Sequence, residues 1–135
     1  MGSLGMRQIQ VRATNDPTAK DGVRFELHEG GAKVPDDTLE SAKTKNDSKH
    51  NDYHEFTFRL HETDVDLLFQ DPPNAALTTS NGDIEPVRFV GNRKALEVRN
   101  WNRDKSDSKF DLNFVKQDGT AVVFDPIWAN QNGGV

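Results

Sequence analysis

The feature that most constrains this fold is a pair of apolar runs late in the chain, separated by a tight-turn signal. In the first run, Phe110, Leu112 and Phe114 alternate with polar residues, which is typical of a half-buried strand. Asp118-Gly119 follows as a hairpin-turn dipeptide, and a second apolar run comes directly after it. The sequence therefore predicts a β-hairpin with one aromatic face.

The length of the turn decides which residues of this hairpin share a face. With a turn of two residues, Phe114 faces Val123. Asp125 then falls opposite Leu112, on the face that carries the buried aromatic side chains. We expect Asp125 to lie in or beside the core, where an unpartnered carboxylate is costly. Pro126 has no N–H to offer a ladder, so the strand should end, bulge or lie at an edge there.

Other short runs that alternate with period two, or are continuously apolar, occur along the chain, each bounded by turn residues. They are Arg7–Thr14, Val23–His28, Tyr53–Leu60, Val65–Phe69, Pro86–Val90 and Ala95–Trp101. The segment Asp36–Lys43 instead predicts one short helix with an acidic start, followed by a polar surface excursion up to Asp52. About eight strands with almost no helix predict an all-β fold, an antiparallel β-sandwich with one short helix or long loop excursion.

Length and composition indicate a single domain with a thin core. The chain has 135 residues, of which 33% are hydrophobic. Residues 1–5 have the look of an appended leader ahead of a native start at Met6. We therefore expect residues 6–135 to form one β-sandwich domain.

Charge and hydropathy restrict the partners. The net charge is −5 and no dense cluster of lysine and arginine occurs, which argues against nucleic acid. No apolar run is long enough to span a bilayer and no signal-peptide region follows the N-terminus, so we expect no membrane partner and a cytoplasmic protein. With no cysteine, disulfides and thiolate chemistry are excluded.

No familiar catalytic or metal-binding motif is present. The four histidines show no recognised ligand spacing, so we expect no metal or other cofactor. The serines lie in the leader or in polar loops, outside any nucleophile-elbow context. Trp101 and Trp128 could form a carbohydrate platform, but two tryptophans in an aromatic-poor domain are more often core residues.

The Asp125-Pro126 bond has chemistry of its own. An aspartate carboxyl can attack its own main-chain carbonyl to form a cyclic anhydride, with the prolyl nitrogen as leaving group. Alternatively, a positioned carboxylate can activate water against that carbonyl. Either route cuts the chain after Asp125.

A lysine amine beside the same carboxyl offers another outcome, a Lys–Asp amide crosslink. Lys109 and Lys116 on the facing strand and Lys105 in the preceding loop are the available amines. Spacing alone does not choose among the three.

The alternative to self-cleavage is an inert fold. Asp16-Pro17 and Asp71-Pro72 carry the same dipeptide and are explained fully by turn chemistry. On this interpretation Asp125-Pro126 merely ends a strand, and the chain is a non-enzymatic β-sandwich that serves as a binding or assembly module.

Short motifs over residues 53–134 match a known pattern. They are Ala95–Asn100, Phe110–Phe114, Phe124–Ile127 and Asn130, with Glu85-Pro86 upstream. On these residues the chain resembles the DP-EP family of small bacterial β-sandwich proteins. The resemblance implies an autocatalytic endopeptidase that cleaves its own Asp-Pro bond and can self-assemble into a homo-oligomer.

The same resemblance implies roles for individual residues. Asp125 and Pro126 match the scissile pair, and Asp111 in the facing strand is the candidate for a second carboxylate that activates water. Lys109 is the candidate lysine partner. With a two-residue turn, however, Asp111 and Asp125 point to opposite faces unless a bulge intervenes.

Overall fold

Two β-sheets packed face to face make up the fold, as seen in a computed structural model that describes residues 2–41, 52–102 and 108–130. The strands are β1 (Gly2–Asn15), β2 (Val23–Glu29), β3 (Ala32–Lys33), β4 (Thr38–Ser41), β5 (Asp52–Thr63), β6 (Leu67–Phe69), β7 (Leu77–Thr79), β8 (Ile84–Val90), β9 (Ala95–Asn100), β10 (Ser108–Lys116), β11 (Ala121–Phe124) and β12 (Ile127–Asn130), with one helical turn, α1 (Pro73–Ala76). The predicted all-β, sandwich-like class is confirmed.

The sheets are mixed rather than wholly antiparallel. The first sheet has the order β3-β2-β1-β5-β9-β8, and its central pair, β1 with β5, is parallel. In the second sheet β10 is flanked on one side by β11 and β12 in succession and on the other by β6 and β7, while β4 pairs in parallel with β12. Parallel neighbours need a long crossover, and the chain between β1 and β5 supplies one.

The predicted helix over Asp36–Lys43 is wrong for the residues that the structure describes. A short 3₁₀ turn, Pro35–Asp37, is followed directly by β4. Leu39 and Ser41 are buried while Glu40 is exposed, so pairing with β12 overrides the helical pattern. Ala42 and Lys43 lie outside the described residues.

Strand β1 is longer than the alternation predicted. It starts at Gly2, and Gly2 and Ser3 lie opposite Asp52 and Tyr53 of β5. Residues expected to be a separate leader therefore extend the first sheet, beyond a register shift between Ser3 and Met6.

Aromatic side chains from both sheets fill the core. Phe56 of the first sheet lies 4.7 Å, between ring centroids, from Trp128 of the second, and Phe110 lies 4.7 Å from the same indole. Trp128 is fully buried. Trp101 instead packs half-buried against Tyr53, so the two tryptophans do not form a common platform.

Candidate functional site

The turn between β10 and β11 contains three residues, Gln117–Gly119, and not two. The Lys116 N–H donates to the Thr120 carbonyl at 2.9 Å, and the Gly119 N–H donates to the Lys116 carbonyl at 2.9 Å. Gly119 has φ of +90°, as expected for a type I turn completed by a residue in the left-handed region. The register predicted for the hairpin is therefore wrong by one residue.

This one-residue shift moves every side chain of β11 to the other face. Phe114 faces Val122 and Leu112 faces Phe124, so both β11 side chains lie in the core. Asp125, predicted to point inward, points outward, and its side chain is 54% exposed.

Strands β11 and β12 follow one continuous register along β10. Leu112 pairs with Phe124, and Lys109, three residues earlier on β10, pairs with Ile127, three residues after Phe124. Asp125 therefore falls opposite Asp111, and the two carboxyls share the outer face. The expectation that these side chains point to opposite faces is wrong, because the extra residue lies in the turn and no bulge in the strand is needed.

Asp111 and Asp125 occupy a position where antiparallel strands approach most closely. The neighbouring pair, Phe110 with Pro126, is hydrogen-bonded, since the Phe110 N–H donates to the Pro126 carbonyl at 3.2 Å. Hydrogen-bonded and non-hydrogen-bonded pairs alternate along such a ladder. The pair Asp111 and Asp125 is thus a non-hydrogen-bonded one, whose side chains lie closest together.

The carboxyl of Asp111 is hydrogen-bonded to that of Asp125. A hydrogen bond with Asp125 is the largest cause that raises the pKa of Asp111, to about 6, and partial burial and repulsion between the two charges raise it further. The positive charge of Lys20 lowers the pKa of Asp111. Below about pH 6 Asp111 is therefore protonated and can donate a hydrogen bond to Asp125.

A 3₁₀ turn between β1 and β2, Lys20–Gly22, lies against the outer edge of β11. Lys20 Nζ lies 3.8 Å from Asp125 Oδ2. The Val123 N–H faces away from β10 and donates to Asp21 Oδ2 at 3.1 Å. The turn thus places a positive charge beside Asp125 and covers part of an open strand edge.

Sequence reasoning missed Lys20. Asp21 and Val123 are 102 residues apart in the chain, and no local pattern around Lys20 indicates the contact. Only the packing of the two sheets brings this turn to the hairpin.

The structure does not place Lys109 beside Asp125. Lys109 is exposed, lies opposite Ile127 and accepts a hydrogen bond from the Thr79 hydroxyl at its carbonyl. In the described part of the chain no ion pair joins it to either carboxyl. Lys105 falls outside the described residues.

The three histidines in the described part of the chain, His28, His54 and His61, do not gather into a metal centre. Across residues 2–41, 52–102 and 108–130, no group of three potential ligands occurs. Among the helices in those same ranges, none has the length and apolar character needed to cross a bilayer.

Comparison of the sequence with protein-family models and with curated proteins gives no match. A function is therefore inferred from the geometry of the Asp111–Asp125 pair, the proline that follows it and the lysine beside it.

Proposed function

We propose that this chain is a self-processing protein, an autocatalytic endopeptidase that cuts its own Asp125–Pro126 bond. The observation that carries the proposal is the hydrogen-bonded pair of carboxyls, one of which belongs to the residue at the scissile bond. Two adjacent carboxyls that hold one proton can act as nucleophile and acid in the same step. The resemblance to the DP-EP family points to the same residues, with Asp125 and Pro126 as the scissile pair and Asp111 as a carboxylate that activates water.

In the first step, the Asp125 carboxylate attacks its own main-chain carbonyl carbon and closes a five-membered ring. The Asp111 acid gives its proton to the prolyl nitrogen while the C–N bond breaks. The products are a cyclic anhydride at Asp125 and a secondary amine at Pro126. Asp111 is left as a carboxylate.

In the second step, water opens the anhydride. Asp111, now a carboxylate, takes a proton from a water molecule while the oxygen of that water attacks an anhydride carbonyl. Hydrolysis restores the Asp111 acid and leaves two carboxyl groups on Asp125. The net reaction consumes one water molecule and needs no cofactor.

The raised pKa of Asp111 favours its role as an acid in the first step. A carboxyl with a pKa of about 6 keeps its proton where an ordinary carboxyl has lost it. The other mechanism, in which Asp111 activates water directly, requires the ionised form and would speed up above that pH. The two mechanisms therefore predict opposite dependences on pH.

The surroundings of the bond suit this chemistry. Lys20 Nζ lies 3.8 Å from Asp125 Oδ2, beside the carboxyl that attacks. In a non-hydrogen-bonded pair the main-chain carbonyl points away from the partner strand, so no ladder bond to β10 shields the Asp125 carbonyl. The Phe110 N–H holds the leaving segment through the Pro126 carbonyl.

Capture of the anhydride by a lysine would leave a Lys–Asp amide instead of a cut chain. Lys20 is the described lysine nearest to Asp125, and its side chain is 68% exposed. An ammonium group in water has no lone pair with which to attack. Hydrolysis should therefore predominate over a crosslink.

Intact mass under denaturing conditions tests the proposal on fresh and on aged protein. The wild type should lose the mass of residues 126–135, while Asp125→Ala should stay whole and Asp111→Asn should be cut far more slowly. Asp71→Asn is the matched control, because Asp71 also precedes a proline, and it should be cut like the wild type. A single uncut mass for the wild type from mildly acidic to neutral pH would overturn the proposal.

A non-enzymatic β-sandwich that binds or assembles is the second candidate. The exposure of Asp125 and its ion pair with Lys20 favour it, since together they account for a carboxylate at this position without any chemistry. Self-assembly of the chain in the cytoplasm is part of either proposal. Sedimentation of wild type and Asp125→Ala side by side would show whether assembly depends on the cut.

A further inference from the structure

The outer face of the first sheet carries an open groove on the side of the sandwich away from the carboxyl pair. Its volume is about 360 Å³, and its lining includes Gln8, Gln10, Arg12, His28 and Arg59. Ligand sites of small molecules typically start at about 300 Å³. The groove is therefore large enough for a compact metabolite.

Strand pairing brings the groove's cationic side chains together. Gln10 of β1 lies opposite His28 of β2 on one side and opposite Arg59 of β5 on the other. Arg12 lies two residues further along β1, on the same face. From the spacing of strands and residues, the Cα atoms of Arg12 and Arg59 are about 8 Å apart.

These two arginines differ from others on the described surface. Arg7, Arg24 and Arg88 each form an ion pair with a carboxylate. In the part of the chain that the structure describes, neither Arg12 nor Arg59 does.

A local hydrogen bond orients the Arg12 side chain without neutralising its charge. Arg12 Nε donates to Gln10 Oε1 at 2.6 Å, which orients the guanidinium through a neutral amide. The nearby carboxylate of Glu26 is already engaged, since it lies 3.0 Å from His28 Nε2 and 3.9 Å from Lys33 Nζ. Within the described residues Arg59 thus has no ion pair, and Arg12 has none although it lies directly opposite Glu26 of β2.

A second hollow adjoins the groove and is also lined by polar and charged side chains. Its volume is about 180 Å³, and it is lined by Arg12, Thr14, Arg24, Glu26, His61 and Thr63. The shared arginine makes the two hollows neighbours across β1. Hydroxyl and imidazole groups there add hydrogen-bonding partners for a polar ligand.

We propose that this groove binds a small oxyanion ester, a sugar-like polyol that carries a phosphate or sulfate group. Arg12 and Arg59 hold the oxyanion, because a guanidinium matches its geometry with two parallel hydrogen bonds. The Gln8 and Gln10 amides face the hydroxyl groups. A long polyanion such as nucleic acid is disfavoured, since the overall charge of the protein repels it.

Chemical-shift titration of the folded full-length protein tests this site with three probes: glucose 6-phosphate, glucose 6-sulfate and glucose. At least one ester should give saturable shifts in β1, β2 and β5 below roughly 10 mM, and glucose should give none. The ester that binds more tightly identifies the preferred group. Absence of saturable shifts with both esters, or equal shifts with glucose, would overturn the proposal.

Arginine variants make the test specific to the groove. Arg12→Gln and Arg59→Gln should each weaken binding about tenfold, in line with the loss of one charge-assisted hydrogen bond. Arg88→Gln is the matched control, because Arg88 lies on the same sheet face and is already paired with Glu97. Equal weakening by all three changes would indicate diffuse attraction and overturn the site, and retention of the wild-type spectrum away from the substitution confirms that each variant is folded. The Asp125→Ala variant should bind like the wild type, so this proposal stands or falls independently of self-cleavage.

Discussion

Asp125 lies opposite Asp111 across the ladder of β10, and the carboxyl of Asp111 is hydrogen-bonded to that of Asp125. This hydrogen bond, together with partial burial and the charge of Asp125, raises the pKa of Asp111 to about 6. The rate of the proposed cleavage should therefore follow the protonation of Asp111, falling about tenfold per pH unit above about 6. Intact mass against time at a series of pH values measures this, and a rate that rises through the same range would contradict Asp111 as the acid.

Asp111→Asn should slow cleavage by roughly 10² to 10⁴-fold and remove the limb of the pH profile near 6, because the amide keeps the contact but donates no proton. The rate constants come from the loss of intact mass. A control variant, Asp66→Asn, changes an exposed carboxylate that pairs with Lys94 and should leave the rate unchanged. Equal rates for Asp111→Asn and wild type would remove Asp111 from the mechanism.

The same pair should make stability depend on pH. The folded pKa of Asp111 is raised above its unfolded value, so the folded state binds the extra proton between about 4 and 6. The contribution of Asp111 to the stability of the folded state is present in full below about pH 4 and is lost as the pH rises through about 6. Denaturant titration of freshly purified protein should compare the free energy of unfolding of the wild type with that of Asp111→Asn. An uncleavable Asp125→Asn variant cannot replace the wild type in this comparison, because the substitution removes the carboxyl pair itself. The wild type should lose up to about 1 kcal/mol per pH unit relative to the variant across the window. A difference that grows with pH would show that the sign is wrong.

Lys20→Met should raise the pKa of Asp111 further. The positive charge of Lys20 now lowers that pKa, against the other causes, and methionine removes it with little change in length. Carbon-detected titration of the Asp111 carboxyl measures the shift. Lys33→Met, which removes a lysine paired with Glu26 on the first sheet, should leave the Asp111 titration unchanged.

Gly119→Ala should destabilise the protein by about 1 kcal/mol, because an alanine at φ of +90° is strained even though nothing crowds its Cβ. Gly82→Ala is the matched control, since Gly82 has no left-handed φ and also has open space at its Cβ. Chemical denaturation compares the two. Equal stability would mean that the three-residue turn tolerates another conformation.

Trp128→Ala should cost about 3 to 5 kcal/mol, the usual range for removing a large buried aromatic side chain. The indole is fully buried between Phe56 and Phe110. Trp101→Ala, at a half-buried position, should cost clearly less. Denaturant unfolding in an Asp125→Ala background, which removes cleavage as a cause, gives both values.

The fold class could be predicted from the sequence because period-two burial is a local property. Phe110, Leu112 and Phe114 alternate with polar residues in the sequence and lie fully buried in the structure. Strand pairing is not a local property, and no pattern in the sequence indicated that β1 pairs in parallel with β5 or that β4 pairs in parallel with β12. The short strands β3, β4 and β7 were not predicted, because each has too few residues to show a period, and the start of β12 was predicted only as the end of the apolar run Ala121–Trp128.

The register of the hairpin could have been predicted, and was not. Asp-Gly suits both a two-residue turn and the three-residue turn that the chain adopts. The spacing of Val122 and Phe124 distinguishes the two turns, because a two-residue turn would have placed both side chains on the solvent face. The three-residue turn that buries Phe124 also places Asp125 opposite Asp111. Lys20, by contrast, reaches this place only through tertiary packing.

One consequence follows from the shared register of β11 and β12. A break at Asp125–Pro126 would leave β12 in its place, paired with β10 and β4 and anchored by Trp128. The cut molecule would then be a complex of two fragments, and its stability would depend on protein concentration by mass action, as that of the intact chain does not. A synthetic peptide of residues 126–135 should exchange with the resident one, so that the last strand becomes a replaceable ligand of the rest of the fold.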